Sequence, residues 1–253
     1  MSSRFEGKVV IVTGGGSGIG AAAARRFAAE GARVVVAGRT AATLDAVAAG
    51  ADEIDTWVVD VSDEAAVTGM VEGVAGAYGR LDVLVNNAGA AGLASAEETT
   101  TEMWRHLVGT NLDSVFFASR AAVKHLRETH GNIVNVSSVA GIGGDHSAVA
   151  YNAAKGAVSN MTRAMALDHG RDGVRVNAVC PSLTATAMTD AFRATPGVSE
   201  AFAKAIPMGR AAEAEEVGDV VVFLASEDAR FVTGVNLPVD GGLTASDGQP
   251  KLF

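Results

Sequence analysis

One strand-length apolar run, Lys8–Thr13 (KVVIVT), passes directly into the turn Thr13-Gly14-Gly15-Gly16-Ser17-Gly18-Ile19-Gly20. A segment of helical spacing, Gly18–Glu30, follows and ends at Gly31. This junction constrains the chain more than any other. A strand, a glycine-rich turn and a helix in succession open a β-α-β unit. The glycines permit a tight turn and a close approach of backbone amides to a pyrophosphate, with the helix amino terminus facing its charge. The spacing here is Gly-x-x-x-Gly-x-Gly, not the commoner Gly-x-Gly-x-x-Gly. A glycine cluster alone also suits a plain turn. Its place between strand and helix is what points to a dinucleotide.

The same alternation continues to the end of the chain. Further strands are expected at Arg33–Ala37, Thr56–Val59, Leu81–Val85, Asn132–Ser137, Val174–Val179 and Val235–Val239. Helices are expected at Thr40–Ala49, Asp63–Tyr78, Thr101–Thr129, Val149–Gly170 and Glu213–Ala225. The strands are rich in Val and Ile and almost continuously apolar, as they must be when both faces are covered. Strict β-α order with right-handed crossovers predicts one doubly wound α/β (Rossmann) domain over residues 1–253. Its seven-stranded, mostly parallel sheet carries helices on both faces.

A formal net charge of −9 makes nucleic acid and anionic membranes poor partners for the whole chain. Cys180 is the single cysteine, so no disulfide forms within the chain. Met1–Gly7 is short and polar, without the apolar core of a signal peptide, and no apolar run reaches the length of a membrane span. These features lead to the expectation of a soluble, cytoplasmic protein. The histidines at 106, 125, 130, 146 and 169 have no ligand spacing with cysteine or carboxylates, and no metal is expected.

Six further segments carry a specific likeness. Asn86-Asn87-Ala88-Gly89 follows strand four, Asn111 lies in the long helical stretch, and Ser138 follows strand five. Tyr151-x-x-x-Lys155 comes next, then a proline-containing turn after strand six, then Val239-Asp240-Gly241-Gly242. Together with TGGGSGIG, these motifs resemble, in order and spacing, the classical short-chain dehydrogenase/reductase family. The resemblance spans essentially the whole chain. It implies an NAD(P)-dependent oxidoreductase that interconverts a small-molecule carbonyl and a secondary alcohol by hydride transfer.

The resemblance places the cofactor against Gly14, Ser17, Gly18, Ile19 and Gly20, against Asp60-Val61 at the adenine, and against Asn87, Ala88 and Gly89 at the adenosine ribose and sheet. Asp60 as an ordinary strand-end cap is the plain alternative. Strand two ends in Ala37-Gly38-Arg39, with no carboxylate to accept from a ribose 2′-OH. Arg39 suits a 2′-phosphate, which favours NADP over NAD. Stacking on the adenine and simple solvation are its other uses. Ser17 stands where many NADP-using relatives carry a basic residue, which leaves NAD as the alternative cofactor.

Tyr151 and Lys155 are four residues apart and share a helix face. A free tyrosine, with a pKa near 10, is a poor base at neutral pH. A nearby ammonium and a positive nicotinamide ring are expected to lower it. The resemblance gives Tyr151 the acid/base role and has Lys155 hold the nicotinamide ribose. Ser138 would hold the substrate oxygen, while Ser137 points to the other side of the strand. Asn111 matches the family's fourth catalytic residue, whose backbone holds a water leading to Lys155; a helix-bending polar residue is the alternative.

At the substrate end the chain departs from the pattern of the family it resembles. Pro181 is followed by Ser182 and Thr184 where the family usually has glycine and a branched apolar residue, whereas Thr186 is retained. Pro181, Thr184 and Thr186 are expected at the nicotinamide. Cys180 is expected to pack. Substrate choice falls to Ala90–Ala96, Val139–Ala150, where His146 could touch a polar substrate, and a lid at about 187–208. A reductase of acyl groups on an acidic carrier protein is the alternative enzyme, with Arg127 and Arg171 as its candidate basic residues. A non-catalytic dinucleotide sensor would need none of the four catalytic positions. Small-residue faces at Ala118, Ala121, Ala122, Ala153, Ala154, Ala157, Ala164 and Ala166 suggest close helix pairing in a homotetramer. The tail Thr244–Phe253, ending in Leu252-Phe253, is expected to dock on a neighbouring subunit.

Overall fold

The computed structural model describes residues 3–246. Its first half runs β1 (Val9–Thr13), α1 (Gly18–Ala29), β2 (Arg33–Gly38), α2 (Ala41–Ala48), β3 (Ile54–Val58), α3 (Glu64–Tyr78) and β4 (Val83–Asn86). The second runs α4 (Thr101–Val108), α5 (Ser114–Thr129), β5 (Asn132–Val136), α6 (Val149–His169), β6 (Arg175–Pro181) and β7 (Thr184–Ala185). Then come α7 (Asp190–Arg193), α8 (Val198–Ala205), β8 (Ala212–Glu213), α9 (Ala214–Ala225) and β9 (Asn236–Val239).

Seven strands form one sheet in the order β3-β2-β1-β4-β5-β6-β9, and every pairing is parallel. The order reverses between β1 and β4, and such a reversal opens a crevice at the carboxyl ends of the strands. Side-chain alternation divides the apolar strands between two cores. Val10 and Val12 of β1 pack with Phe27, Val221 and Leu224 in the layer of α1 and α9. Val9 and Ile11 pack with Met70 and Leu126 in the layer of α3 and α5. The first core is closed by Phe5, whose ring meets Phe27 edge-on at 4.8 Å.

Three elements differ from the expectations. β3 starts at Ile54, two residues early, because Ile54 and Asp55 already pair with Val34 and Val35. It is the sheet's edge, so its pattern need not be apolar; Val58 is 58% exposed. The long helical stretch is broken by a π turn at Gly109–Asp113. The small parallel pair β7–β8 joins Thr184–Ala185 to Ala212–Glu213 and brackets the expected lid, within which α7 and α8 form. Two-residue strands carry no periodicity from which to read them. The end of the expected tail, residues 247–253, lies outside the described residues.

Candidate functional site

A cavity of about 250 Å³ opens at the carboxyl ends of β1, β4, β5 and β6. Gly14, Ser17, Gly18 and Ile19 line one end of it, and Asn87, Ala88 and Gly89 the floor beside them. Asn111, Ser138, Tyr151 and Lys155 converge on its centre, with Pro181, Thr184 and Thr186 opposite. A smaller cavity of about 180 Å³ shares Gly14, Ala88 and Gly89, and holds Gly38, Arg39, Asp60 and Val61. A larger hollow of about 440 Å³ lies at the other end of the sheet, around Arg4, Asp82, Asn132 and Arg175. None of the expected site residues reaches it. Dinucleotide sites of doubly wound sheets lie at the carboxyl ends of the strands, as the first two cavities do.

The glycine turn fits a pyrophosphate. Gly14 has φ 63°, and a Cβ there would sit 2.7 Å from the Ala88 Cα. Ser17 precedes the first residue of α1, yet its side chain makes no capping bond. The first amides of the helix therefore have no side-chain acceptor and remain available to an anion. Gly18 keeps the turn open towards Thr186, whose Cγ2 a Cβ would approach to 3.0 Å. Gly20 lines neither cavity, contrary to expectation. It is buried behind the turn, where a side chain would strike the Asn87 amide and the Gly14 carbonyl oxygen. Its task is close packing.

At the adenosine end, the Asp60 carboxylate accepts from the Ser62 amide (2.9 Å) and hydroxyl (2.7 Å), so it does cap its own turn. These bonds, with Arg39 and His106 nearby, hold it below the usual carboxylate range. His106 and Thr110 also line this cavity and were not foreseen. Their four-residue spacing places them on one helix face just before Asn111, which was the available signal.

Asn111 sits in the π turn and is fully buried. Its side chain donates to the carbonyls of Ala90 and Leu107 (both 2.9 Å) and accepts from the Ala90 amide (3.2 Å). It therefore ties the loop after β4 to the break between α4 and α5. Wide turns of this kind occur often at functional sites. Ser137 and Ser138 diverge as expected. The Ser137 hydroxyl meets the Lys155 carbonyl (3.1 Å) and the Ser159 hydroxyl (2.8 Å) inside α6. The Ser138 oxygen accepts from the Ala140 amide (3.1 Å), which leaves its hydroxyl proton for the Tyr151 side of the cavity. Cys180 is buried and burial pushes its thiol pKa up, so it packs rather than reacts. Met188 and Thr189 complete the cavity wall. His146 lies on the exposed loop and reaches neither cavity.

Electrostatics require one correction. Tyr151 was expected to be a more acidic phenol. The folded chain raises its pKa instead, through burial, with the Ser138 hydroxyl opposing and the Asp145 carboxylate adding to the rise. Lys155 cannot reverse this. Its ammonium lies 5.8 Å from the centre of the tyrosine ring and donates to the Val136 carbonyl at 2.8 Å. The chain by itself thus keeps Tyr151 protonated, ready to donate. Lys155 is only 4% exposed, and burial pulls its pKa down from 10.5 to about 8.

A folded pKa below the unfolded one means that the buried ammonium destabilises the fold below about pH 8, and that this cost fades as pH rises towards 10.5. The cost is at most about 3 kcal/mol, and the lost bond to Val136 offsets about 1 kcal/mol of it in a variant. Lys155→Met is accordingly expected to raise the Tm of the cofactor-free protein at pH 7, with a gain that shrinks towards pH 10. Calorimetry at both pH values checks this, and a lower Tm at pH 7 contradicts it.

Comparison with known proteins agrees with this geometry. A family model described as enoyl-(acyl carrier protein) reductase, of the short-chain alcohol dehydrogenase type, matches residues 14–244. The chain is 53% identical over 251 residues to the meso-2,3-butanediol dehydrogenase of Serratia marcescens, covering 98% of this chain and 99% of that one. It is 41% identical over 252 residues to the NADP-dependent (R)-specific alcohol dehydrogenase of Lentilactobacillus kefiri, covering 97% and 100%. The crystal structure of gox2181 superposes with a TM-score of 0.93 at 32% identity, covering 96% of this chain and 98% of that one. The chain belongs to the classical short-chain dehydrogenase/reductase family, whose members interconvert alcohols and carbonyls with NAD(P).

Proposed function

We propose that this enzyme interconverts a small vicinal diol and its hydroxyketone, with NADP as the preferred cofactor. The observation that carries the catalytic part is the convergence of Ser138, Tyr151 and Lys155 on one cavity beside the glycine turn. The likeness to a meso-2,3-butanediol dehydrogenase over nearly the full length supports the substrate class. A bound nicotinamide dinucleotide supplies or accepts the hydride. The protein does the rest. Ser138 and Tyr151 hold the substrate oxygen, and in reduction the Tyr151 Oη gives it a proton. In oxidation the same oxygen takes the proton back. Lys155 holds the nicotinamide ribose and brings a positive charge to the tyrosine. The segment 187–208 acts as a lid, with Met188 and Thr189 already in the cavity wall.

The acyl-carrier alternative finds no support at the site mouth. Arg127 pairs with Asp172 at 2.8 Å, and neither Arg127 nor Arg171 lines the catalytic cavity.

The cofactor preference rests on Arg39. It is exposed, lines the adenosine cavity and forms no ion pair among the described residues, and Asp60 beside it is already bonded to Ser62. A homotetramer is part of the same reading. Ala118, Ala122, Ala154 and Ala166 face the subunit's own core, which removes them from any contact surface. Ala153 and Ala164 are exposed, and Phe116 (44%) and Leu167 (84%) leave large apolar surface on the outer sides of α5 and α6. Such surface suits pairing with a second copy.

Three outcomes are expected. Tyr151→Phe should lower kcat by more than about a thousandfold while cofactor affinity stays within about threefold, since only the proton donor is lost. Retention of a tenth of the activity would defeat the mechanism. Gly38→Asp should move the ratio of kcat/KM towards NAD, because the carboxylate accepts from a 2′-OH and repels a 2′-phosphate. The position tolerates a side chain, whose Cβ would meet only Leu44 Cδ2 at 3.6 Å. An unaltered enzyme that already prefers NADH tenfold would overturn the reading of Arg39. Light scattering should return four times the chain mass of 25.6 kDa, and a monomer would refute the assembly.

A further inference from the structure

We propose that Ser182 determines substrate specificity: its hydroxyl holds the second oxygen of a substrate that carries oxygen on the carbon next to the reacting one. The inference rests on the vicinal-diol reading above and assigns the group that recognises that feature.

The position follows from sheet register. β5 and β6 run parallel, with Val136 beside Val179, and the Ser137 amide still donates to the Val179 carbonyl at 2.9 Å. Continuing the register sets Ser138 beside Pro181, with Ser182 one residue further along. Neighbouring strands lie about 4.8 Å apart, so the Pro181–Ser182 backbone passes about one strand spacing from Ser138, and both serines line the same cavity. Its backbone is fixed on both sides. The Ser182 amide donates to the Val239 carbonyl (3.4 Å), and its own carbonyl accepts from the Thr184 hydroxyl (3.1 Å).

The Ser182 hydroxyl, in contrast, has no hydrogen-bond partner among the described residues, although it is half-buried and lines the catalytic cavity. Most other polar side chains there are committed. Thr184 and Thr189 donate to backbone carbonyls, and Asn87 and Asn111 hold loops. Ser17 and Thr186 keep free hydroxyls, but both belong to the glycine-turn end. Among the described residues, Ser182 is therefore the uncommitted hydroxyl where the end of β6 passes Ser138. It also forms part of the wall of an adjoining cavity of about 340 Å³, so a substrate bearing its second oxygen there has room. A half-buried hydroxyl in a cleft gains from a bond that a ligand hydroxyl or carbonyl can make, and a substrate lacking that oxygen forgoes it.

The test compares meso-2,3-butanediol with 2-butanol, which lacks the second hydroxyl, in the holoenzyme of Ser182→Ala and of Ser182→Gly. Cofactor Kd is measured separately by titration. Loss of one neutral hydrogen bond should lower kcat/KM for the diol about tenfold in both variants. The value for 2-butanol and the cofactor Kd should stay unchanged. Equal losses for both alcohols, no loss for the diol, or a shift confined to cofactor Kd would overturn the inference alone. Failure of the unaltered enzyme to oxidise any vicinal diol would overturn the substrate reading, and this inference with it.

Discussion

The site depends on a small set of hydrogen bonds where β1 meets β4. The Asn87 side-chain amide donates to the carbonyls of Thr13 and Gly14, both at 3.0 Å. The Thr13 hydroxyl oxygen accepts from the amides of Asn87 (3.1 Å) and Ala88 (3.2 Å) and donates to the Val85 carbonyl (3.3 Å). Two strands diverge at a switch point, and their last backbone groups would otherwise lack ladder partners. These side chains supply the partners. They also fix the glycine turn against the Asn87–Gly89 segment, so that the amides of the turn and the floor of the cavity keep one relative position. The tolerance is narrow, because Gly14 approaches Ala88 more closely than any side chain would allow.

Charge adds a second constraint. The cavity centre holds a buried ammonium and a half-buried phenol, and among the described residues no carboxylate is bonded to either. Burial favours the neutral form of both groups: it raises Tyr151 and lowers Lys155. A protonated phenol suits carbonyl reduction. The reverse reaction needs the phenolate, so positive charge must enter the cavity with the cofactor. The fold thus carries an electrostatic cost at Lys155, a pattern expected where function and stability compete.

Much of this was legible in the sequence. The β-α alternation is strong because parallel strands buried on both faces must be apolar throughout, and Val/Ile runs such as KVVIVT have few other uses. The convergence of Ser138, Tyr151 and Lys155 on one cavity was legible because Ser138 follows a strand end and the other two share a helix face, where spacing translates directly into position. What escaped depends on long-range pairing. β7 and β8 are each two residues long, and only their mutual contact makes them strands. Gly20 was expected at the cofactor because it closes the glycine motif; Gly18 and Ile19 do line the cavity, yet Gly20 turns inward against Asn87. The direction of the Tyr151 shift was missed because spacing reveals the partner at 155 and says nothing of how deeply both groups are buried.

One more feature shows how a nearly apolar interior can still specify position. Asn86 on β4 donates to the Ser119 hydroxyl of α5 (3.0 Å) and to Asn135 Oδ1 on β5 (2.9 Å). The Asn135 amide donates in turn to the Thr162 hydroxyl of α6, at 2.9 Å. All four side chains are buried. Apolar packing alone tolerates small slides of a helix over a sheet, since one aliphatic contact replaces another at little cost. A buried amide left without its partner costs about 1–3 kcal/mol, so this ladder penalises any slide. Its far end lies on α6, two to three turns beyond Tyr151 and Lys155. The ladder therefore sets those residues against Ser138, which follows β5 directly, and the spacing of the reacting groups is held by bonds made below the site.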